Sequence, residues 1–84
     1  MKVRWLSGAA EDRDHWATAD PRVARRLEEL VGAIARDPFR GMGKPEPLRG
    51  PLSGWWSRRI TREHRLVYRV ERGEVWILQA RYHY

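Results

Sequence analysis

Three side chains of this sequence could together cleave a phosphodiester: His83, Glu46 and Arg65. An imidazole has an unperturbed pKa near ~6.5, so His83 can donate or accept a proton at neutral pH. A carboxylate can take a proton from a hydroxyl, and a guanidinium can stabilise the extra negative charge of a pentacoordinate phosphorane. The sequence therefore offers a general acid, a general base and a phosphate-binding group.

His83 is the penultimate residue and lies between Tyr82 and Tyr84. Chain termini are commonly disordered, so this histidine could belong to a tail without a role. The two flanking aromatic rings favour the functional interpretation, because they should hold the tail against the fold.

Glu46 is the only carboxylate in a stretch that contains six basic residues: Arg40, Lys44, Arg49, Arg58, Arg59 and Arg62. Neighbouring cations favour the charged form of a carboxylate, which a general base requires. Pro45 and Pro47 stiffen the backbone on either side and should fix the position of this group. The alternative is an ordinary surface glutamate between two prolines.

Arg65, together with Arg59 and Lys44, could provide fixed hydrogen-bond donors to a phosphate. The alternative is a cross-strand ion pair of Arg65 with Glu63 or Glu71, which would contribute little to stability.

The sequence predicts no metal site and no cofactor, because it has no cysteine and its three histidines show no paired spacing. Phosphodiester chemistry without a metal favours RNA as the substrate, since RNA supplies its own nucleophile, the 2′-hydroxyl. The product would carry a 2′,3′-cyclic phosphate. Unpaired bases could stack on Trp55, Trp56 or Tyr84, although strand alternation sends one of the two adjacent tryptophans into the core.

The net charge of +6 arises from 17 basic and 11 acidic residues, and it is confined to one part of the 84-residue chain. Residues 1–37 contain seven residues of each sign, whereas residues 38–84 contain ten basic and four acidic residues. A regional, arginine-rich excess favours a polyanionic partner, either nucleic acid or the acidic tail of another protein. The alternative is a basic surface kept for solubility.

Two amphipathic helices should precede most of the strands that carry these residues. Ser7 could cap a first helix that runs to about Thr18. Asp20-Pro21 predicts the start of a second helix, and an apolar stripe continues from there until Asp37-Pro38 ends it.

The remaining chain should form a mainly antiparallel sheet. Lys2–Leu6 predicts a short first strand, and glycines and prolines exclude a helix between residues 38 and 54. Alternation predicts three further strands, with a hairpin turn at Arg72-Gly73 before the last one, Glu74–Tyr82. The order predicts an α+β fold in which two N-terminal helices pack on one face of a twisted sheet.

The open face of that sheet should be basic. If the Trp76 side of the last strand packs beneath the helices, Arg81 and His83 face outward, and Arg65 can approach them from the neighbouring strand.

The chain is long enough for one small core only. Its apolar runs fall far short of the ~20 residues of a membrane span, and no secretory signal is present. We therefore expect one soluble, cytoplasmic domain over residues 1–84, without a membrane partner.

Four segments carry a more specific pattern: GKPEPL at residues 43–48, LSGWWSRRI at 52–60, HRLVY at 64–68 and RYHY at 81–84. With the matching length, they resemble the YoeB (Txe) family of the RelE/ParE superfamily of bacterial toxin–antitoxin systems. The resemblance extends from Trp5 to Tyr84.

The resemblance implies a microbial-ribonuclease-like fold and ribosome-dependent cleavage of messenger RNA in the ribosomal A site. It also implies inhibition by a YefM-type antitoxin, and it leaves homodimer formation open. Position by position, Glu46 corresponds to the general base, His83 to the general acid and Arg65 to the phosphate stabiliser. Four further residues match the substrate site of the family: Lys44, Arg49, Arg59 and Tyr84.

Other functions remain open at this point. ParE-like relatives share the architecture but poison DNA gyrase, a basic sheet face alone would suit an RNA-binding module, and an inactive homologue could serve in autoregulation. None of these functions requires an acid, a base and a phosphate-binding group together, so Glu46, Arg65 and His83 favour the ribonuclease.

Overall fold

The computed structural model describes residues 1–82, so that His83 and Tyr84 lie outside the described part of the chain. The elements in chain order are β1 Lys2–Trp5, α1 Ser7–Ala19, α2 Pro21–Arg36, β2 Glu46–Pro47, a 3-10 turn at Gly50–Leu52, β3 Trp56–Arg59, β4 Arg65–Glu71 and β5 Glu74–Gln79.

The strands form one five-stranded sheet in the order β1-β5-β4-β3-β2. β1 runs parallel to β5, and the other neighbours are antiparallel. The predicted α+β fold, with two helices on a mainly antiparallel sheet, is confirmed. β2 lies within the glycine- and proline-rich stretch, where the sequence predicts extended or turn conformations rather than a defined strand.

The start of α2 is the predicted one. The carboxylate of Asp20 accepts hydrogen bonds from the N–H groups of Arg22 (3.1 Å) and Val23 (3.4 Å), two donors that have no partner within the helix.

The predicted cap of α1 is wrong. The helix begins at Ser7 itself, Leu6 occupies the cap position, and no side chain caps it. The N–H of Leu6 donates to the carbonyl of Ile77 in β5 (3.0 Å), so the sheet ladder continues up to the residue before the helix.

The core lies between the helices and one face of the sheet. Its fully buried members from α2 and the strands include Leu27, Leu30, Ile34, Leu66, Tyr68, Val75 and Ile77. Burial of each such aliphatic side chain contributes about 1.5–3 kcal/mol, which makes this layer the main source of stability. Within residues 1–82, no helix is both long and apolar enough to cross a bilayer.

The face of β5 that packs beneath the helices is the opposite of the predicted one. Val75 and Ile77 are completely buried in the core. Trp76 alternates with them and therefore lies on the other face, where it pairs with Arg4 of β1.

β5 ends at Gln79 rather than at the predicted Tyr82, because side chains of α1 bind both backbone groups of Ala80. Asp12 Oδ2 accepts from the N–H of Ala80 (2.9 Å), and Trp16 Nε1 donates to its carbonyl (2.8 Å). Arg81 consequently turns to the helix side, with its guanidinium 5.9 Å from the Trp16 ring, and the prediction that it faces outward is wrong.

Arg58 is completely buried, although its charge predicts a surface position near Glu46. Its Nε donates to the hydroxyl of Tyr68 (3.1 Å), and burial raises the pKa of that hydroxyl, which stays neutral. Its terminal nitrogens donate to three backbone carbonyls, those of Asp37 (2.7 Å), Arg40 (2.9 Å) and Met42 (3.1 Å). The guanidinium thus fixes the segment between α2 and β2 against the sheet.

The substitution Arg58→Met should lower the free energy of unfolding by about 3 kcal/mol or more, because each buried carbonyl left unsatisfied costs about 1–3 kcal/mol. Urea denaturation followed by circular dichroism measures the change. The matched control is Arg59→Met, since Arg59 is the exposed neighbour on the same strand. Equal destabilisation by both substitutions would contradict the structural role of Arg58.

Candidate active site on the open face

One row of residues crosses the sheet on the face away from the helices, which we call the open face. Strand register places Glu46 opposite Ser57, Ser57 opposite Val67, and Val67 opposite Gln79. Directly opposed residues project to the same face. Leu66, the neighbour of Val67, belongs to the helix-covered core, so the row faces the other way.

The next row contains Arg59 directly opposite Arg65. Like charges at directly opposed positions repel, so an anion bound between these two guanidinium groups would stabilise the arrangement. Strand spacing places the Cα atoms of Glu46 and Arg65 about 12 Å apart, a gap that their side chains and one phosphate can bridge.

The Arg65 side chain is held by the turn that precedes its own strand. Its Nη1 donates to the carbonyls of Thr61 (2.9 Å), Arg62 (3.2 Å) and His64 (3.2 Å). Thr61 closes this turn, since its hydroxyl accepts hydrogen bonds from the N–H groups of Glu63 and His64. One end of the guanidinium is therefore fixed by backbone oxygens, and an anion would bind at the other.

Glu46 owes its position to Gly43. The carbonyl of Gly43 accepts from the N–H of Arg59 (2.6 Å), which ties the segment before β2 to β3. Gly43 has a φ of +85°, and a Cβ atom there would lie 2.7 Å from a methyl carbon of Leu30. Only glycine fits this contact, and Lys44 follows it with a φ of +54°.

The chain that leads to His83 is fixed beside Arg65. The N–H of Tyr82 donates to Nδ1 of His64 (2.8 Å), and the carbonyl of Tyr82 accepts from the N–H of Arg65 (3.0 Å). The φ of Tyr82 is +63°, so the backbone turns sharply there. His83 follows directly in the sequence.

Three of the predicted site residues come together on the open face: Glu46, Arg59 and Arg65. Lys44 is exposed just before the row. Arg49 is exposed at the cap of the 3-10 turn, outside both rows. The roles proposed for His83 and Tyr84 fall on residues outside the described part of the chain and stay predictions.

The alternative interpretation of Arg65 receives no support, because among the described residues it forms no ion pair with Glu63 or Glu71. The carboxylate of Glu71 lies 3.7 Å from Arg69 instead. Likewise, among residues 1–82, no three histidine or acidic residues are close enough to hold a metal ion.

The structure adds residues that the sequence analysis missed. Ser57 and Gln79 complete the row of Glu46, and strand alternation could have found Ser57 two residues before Arg59. His64 was missed because nothing in its spacing predicts a bond to Tyr82, 18 residues away.

The two adjacent tryptophans divide between the faces, as alternation predicts. Trp56 packs against the core and lies 4.9 Å from the ring of Phe39. Trp55 lies on the open face, with the Arg69 guanidinium 5.4 Å from its ring.

Comparison with known proteins identifies relatives along the whole chain. Residues 5–84 match the family described as the YoeB-like toxin of the bacterial type II toxin–antitoxin system. Toxin YoeB of Streptomyces coelicolor is 54% identical over all 84 residues of both chains. Toxin RelK of Mycobacterium tuberculosis is 62% identical over 82 residues, which cover 98% of this chain and 96% of that one.

Solved structures of similar proteins have the same fold. The YoeB/ParE toxin from Agrobacterium tumefaciens superimposes over 100% of both chains with a TM-score of 0.96 and 43% identity. YoeB from Staphylococcus aureus, in structures described as a YoeB–YefM complex and as a YoeB dimer, covers 100% of this chain and 98% of its own. The TM-scores are 0.92 at 35% identity for the complex and 0.93 at 36% identity for the dimer.

The substitution His64→Ala should speed hydrogen exchange of the Tyr82 amide about 2- to 10-fold, because one hydrogen bond contributes about 0.5–1.5 kcal/mol. His64→Asn should retain protection, since the asparagine Oδ1 can take the place of the imidazole Nδ1. Amide exchange by NMR measures both.

His15→Ala is the matched control for this experiment. His15 also packs on Trp16, with the same 4.8 Å between ring centroids, but it lies on the helix itself. If His15→Ala exposed the Tyr82 amide equally, the effect would come from lost packing on Trp16 and not from the bond to His64.

Proposed function

The chain belongs to the YoeB-like toxins of bacterial type II toxin–antitoxin systems. From this premise we propose that it is a ribosome-dependent endoribonuclease that cleaves messenger RNA in the ribosomal A site. The observation that carries the proposal is the pair of opposed arginines, Arg59 and Arg65, on the same open face as the carboxylate of Glu46. This arrangement suits a bound phosphodiester with a hydroxyl beside it.

In the proposed reaction, Glu46 removes the proton from the 2′-hydroxyl of the nucleotide before the scissile bond. The 2′-oxygen attacks the adjacent phosphorus, and the bond from phosphorus to the 5′-oxygen of the next nucleotide breaks. His83 donates a proton to that leaving oxygen. The products are a 2′,3′-cyclic phosphate and a 5′-hydroxyl, and the RNA itself supplies the nucleophile.

Arg65 stabilises the phosphorane, which carries one more negative charge than the substrate. Its Nη1 is already bound to three carbonyls, so little reorganisation is needed when the charge develops. A preorganised donor of this kind typically lowers the barrier by about 2.7–4 kcal/mol. Arg59 holds the same phosphate from the neighbouring strand.

The exposure of the site supports dependence on the ribosome. Glu46 lies on a two-residue strand at the edge of the sheet and is exposed to solvent. Although Ser57 and Val67 of the same row are buried, an exposed base cannot align its substrate by itself, and correct alignment of reacting groups is worth about 7–11 kcal/mol of barrier. We propose that the ribosome supplies this alignment by presenting the messenger in its A site.

A YefM-type antitoxin is the proposed inhibitor. The S. aureus relative is found in a complex with YefM, and the +6 charge of this chain suits an acidic segment. Such a segment can cover Glu46, which would block access of the substrate to the base, or displace Tyr82-His83-Tyr84, which would separate the acid from the base. The S. aureus dimer also supports a homodimer of the free toxin.

Cleavage by single-residue variants tests the proposal. His83→Gln and Glu46→Gln should each slow cleavage of a ribosome-bound messenger by about 10²–10⁴-fold, because each removes a proton-transfer group. Arg65→Gln should slow it by at least about 10²-fold. Primer extension on programmed ribosomes measures the cuts, with Arg25→Gln, an exposed arginine on α2, as the control that cleaves normally.

Ribosome binding should persist in His83→Gln. A loss of binding equal to the loss of cleavage would assign His83 to positioning rather than to chemistry. If the folded wild-type protein produced no cuts with ribosomes, the ribonuclease function would be wrong, and DNA supercoiling by gyrase would be assayed next.

A further inference from the structure

Beyond the row of Glu46, the open face carries a second row in which arginines and tryptophans alternate. Arg4 of β1 lies opposite Trp76 of β5, and Trp76 lies opposite Arg69 of β4. Trp55, just before β3, completes the series beside Arg69. We call these four residues the arginine–tryptophan band.

The contacts within the band are cation–π pairs. The Arg4 guanidinium lies 5.3 Å from the Trp76 ring centroid, and the Arg69 guanidinium lies 5.4 Å from that of Trp55. Glu74 orients Arg4 through two hydrogen bonds, of 2.6 and 3.2 Å, and these bonds lower the pKa of Glu74 so that it stays ionised. The flat groups of the band are therefore held in place before any ligand binds.

The band is accessible. The side chains of Arg4 and Arg69 are 43% and 37% exposed, and the helices cover the opposite face of the sheet. At the hairpin end, a pocket of about 400 Å³ opens against Trp76, lined also by Glu71, Arg72 and Glu74. This volume falls within the range of ligand-binding pockets.

Alternating arginine and aromatic side chains are the chemistry that binds single-stranded RNA. Bases stack on aromatic rings and on guanidinium planes, while arginines attract the phosphates. An acidic peptide fits less well, because its carboxylate side chains have no flat rings to stack on the tryptophans and cannot bind to the carboxylates of Glu71 and Glu74 at the hairpin end. Neutral bases with amino groups can instead donate hydrogen bonds to these carboxylates.

The band is also continuous with the candidate active site. It occupies the row next to that of Glu46, and strand spacing places the Cα atoms of Glu46 and Trp76 about 16 Å apart. One RNA strand can therefore cross both rows.

We propose that the arginine–tryptophan band is a second RNA-binding site, which stacks unpaired nucleotides of the substrate strand a short distance from the scissile bond. The inference rests on the proposed function in that it takes the substrate to be RNA. Trp76 and Trp55 provide stacking surfaces, and Arg69 and Arg72 contact phosphates at the edges of the band.

Binding of a fluorescein-labelled 12-nucleotide uridine RNA to full-length His83→Gln protein, measured by anisotropy, tests the proposal without cleavage. Adding Trp76→Leu should weaken binding about 5- to 100-fold, in line with one lost stacking contact. Adding Arg69→Gln should weaken binding and reduce the salt dependence by about one phosphate contact. Circular dichroism verifies folding, and Arg69→Gln tests the band even if Trp76→Leu does not fold.

Trp5→Leu is the matched control. Trp5 lies on β1 next to Arg4 in the chain but on the helix side of the sheet. It also forms a cation–π pair, in which the Arg13 guanidinium lies 4.7 Å from the centroid of the Trp5 ring. RNA affinity should not change in this variant. Equal weakening by Trp5→Leu, or unchanged affinity in both band variants, overturns the proposal.

The outcomes separate this proposal from the proposed function. If the band variants bind RNA normally while the wild-type protein cleaves messenger, the band is not an RNA site and the proposed ribonuclease function is confirmed. If they lose RNA binding while the wild-type protein cleaves nothing, the RNA-binding role of the band is confirmed and the proposed ribonuclease function is wrong. Weaker binding of antitoxin but not of RNA would assign the band to the antitoxin and overturn the proposal.

Discussion

The open face depends on one buried charge, the guanidinium of Arg58. It lies in the core without a carboxylate partner among residues 1–82, and three backbone carbonyls together with the Tyr68 hydroxyl solvate it instead. These bonds draw the segment after α2 onto the sheet. Gly43 can then reach Leu30 and bind β3, and Glu46 takes its place on the edge strand.

The other side of the candidate site is organised in a similar way. Arg65 binds the carbonyls of its own turn, and its backbone N–H fixes Tyr82. Asp12 and Trp16 of α1 hold Ala80 from the opposite side of the sheet. The strand that carries Glu46, the proposed base, and the chain that leads to His83, the proposed acid, are thus placed by separate contacts. An antitoxin segment that disturbed either one would uncouple them.

Local patterns predicted much of this fold, and long-range contacts account for what they missed. Asp20 acts on the N–H groups that follow it through its carboxylate, and Arg72-Gly73 acts through its own positive-φ backbone, so the helix start and the hairpin both follow from local sequence. Ser7 does not cap α1, because the sheet ladder runs through the residue before it. The burial of Arg58 and the early end of β5 at Gln79 depend on groups far away in the chain, which local patterns cannot reveal. For the site, residue type and charge identified Glu46, Arg59 and Arg65 as candidates, whereas the face that they share and the contacts that hold them emerge only from the strand register and the fold.

The central claim is that the 2′-hydroxyl of RNA attacks a phosphate held on the open face. Mass spectrometry of the ends produced on programmed ribosomes tests it most directly, with a messenger that carries a single 2′-deoxynucleotide before the scissile bond as the comparison. The account predicts a 2′,3′-cyclic phosphate from the all-RNA messenger and no cut at the deoxy position. Cleavage at the deoxy position would show that another nucleophile attacks and would contradict the account.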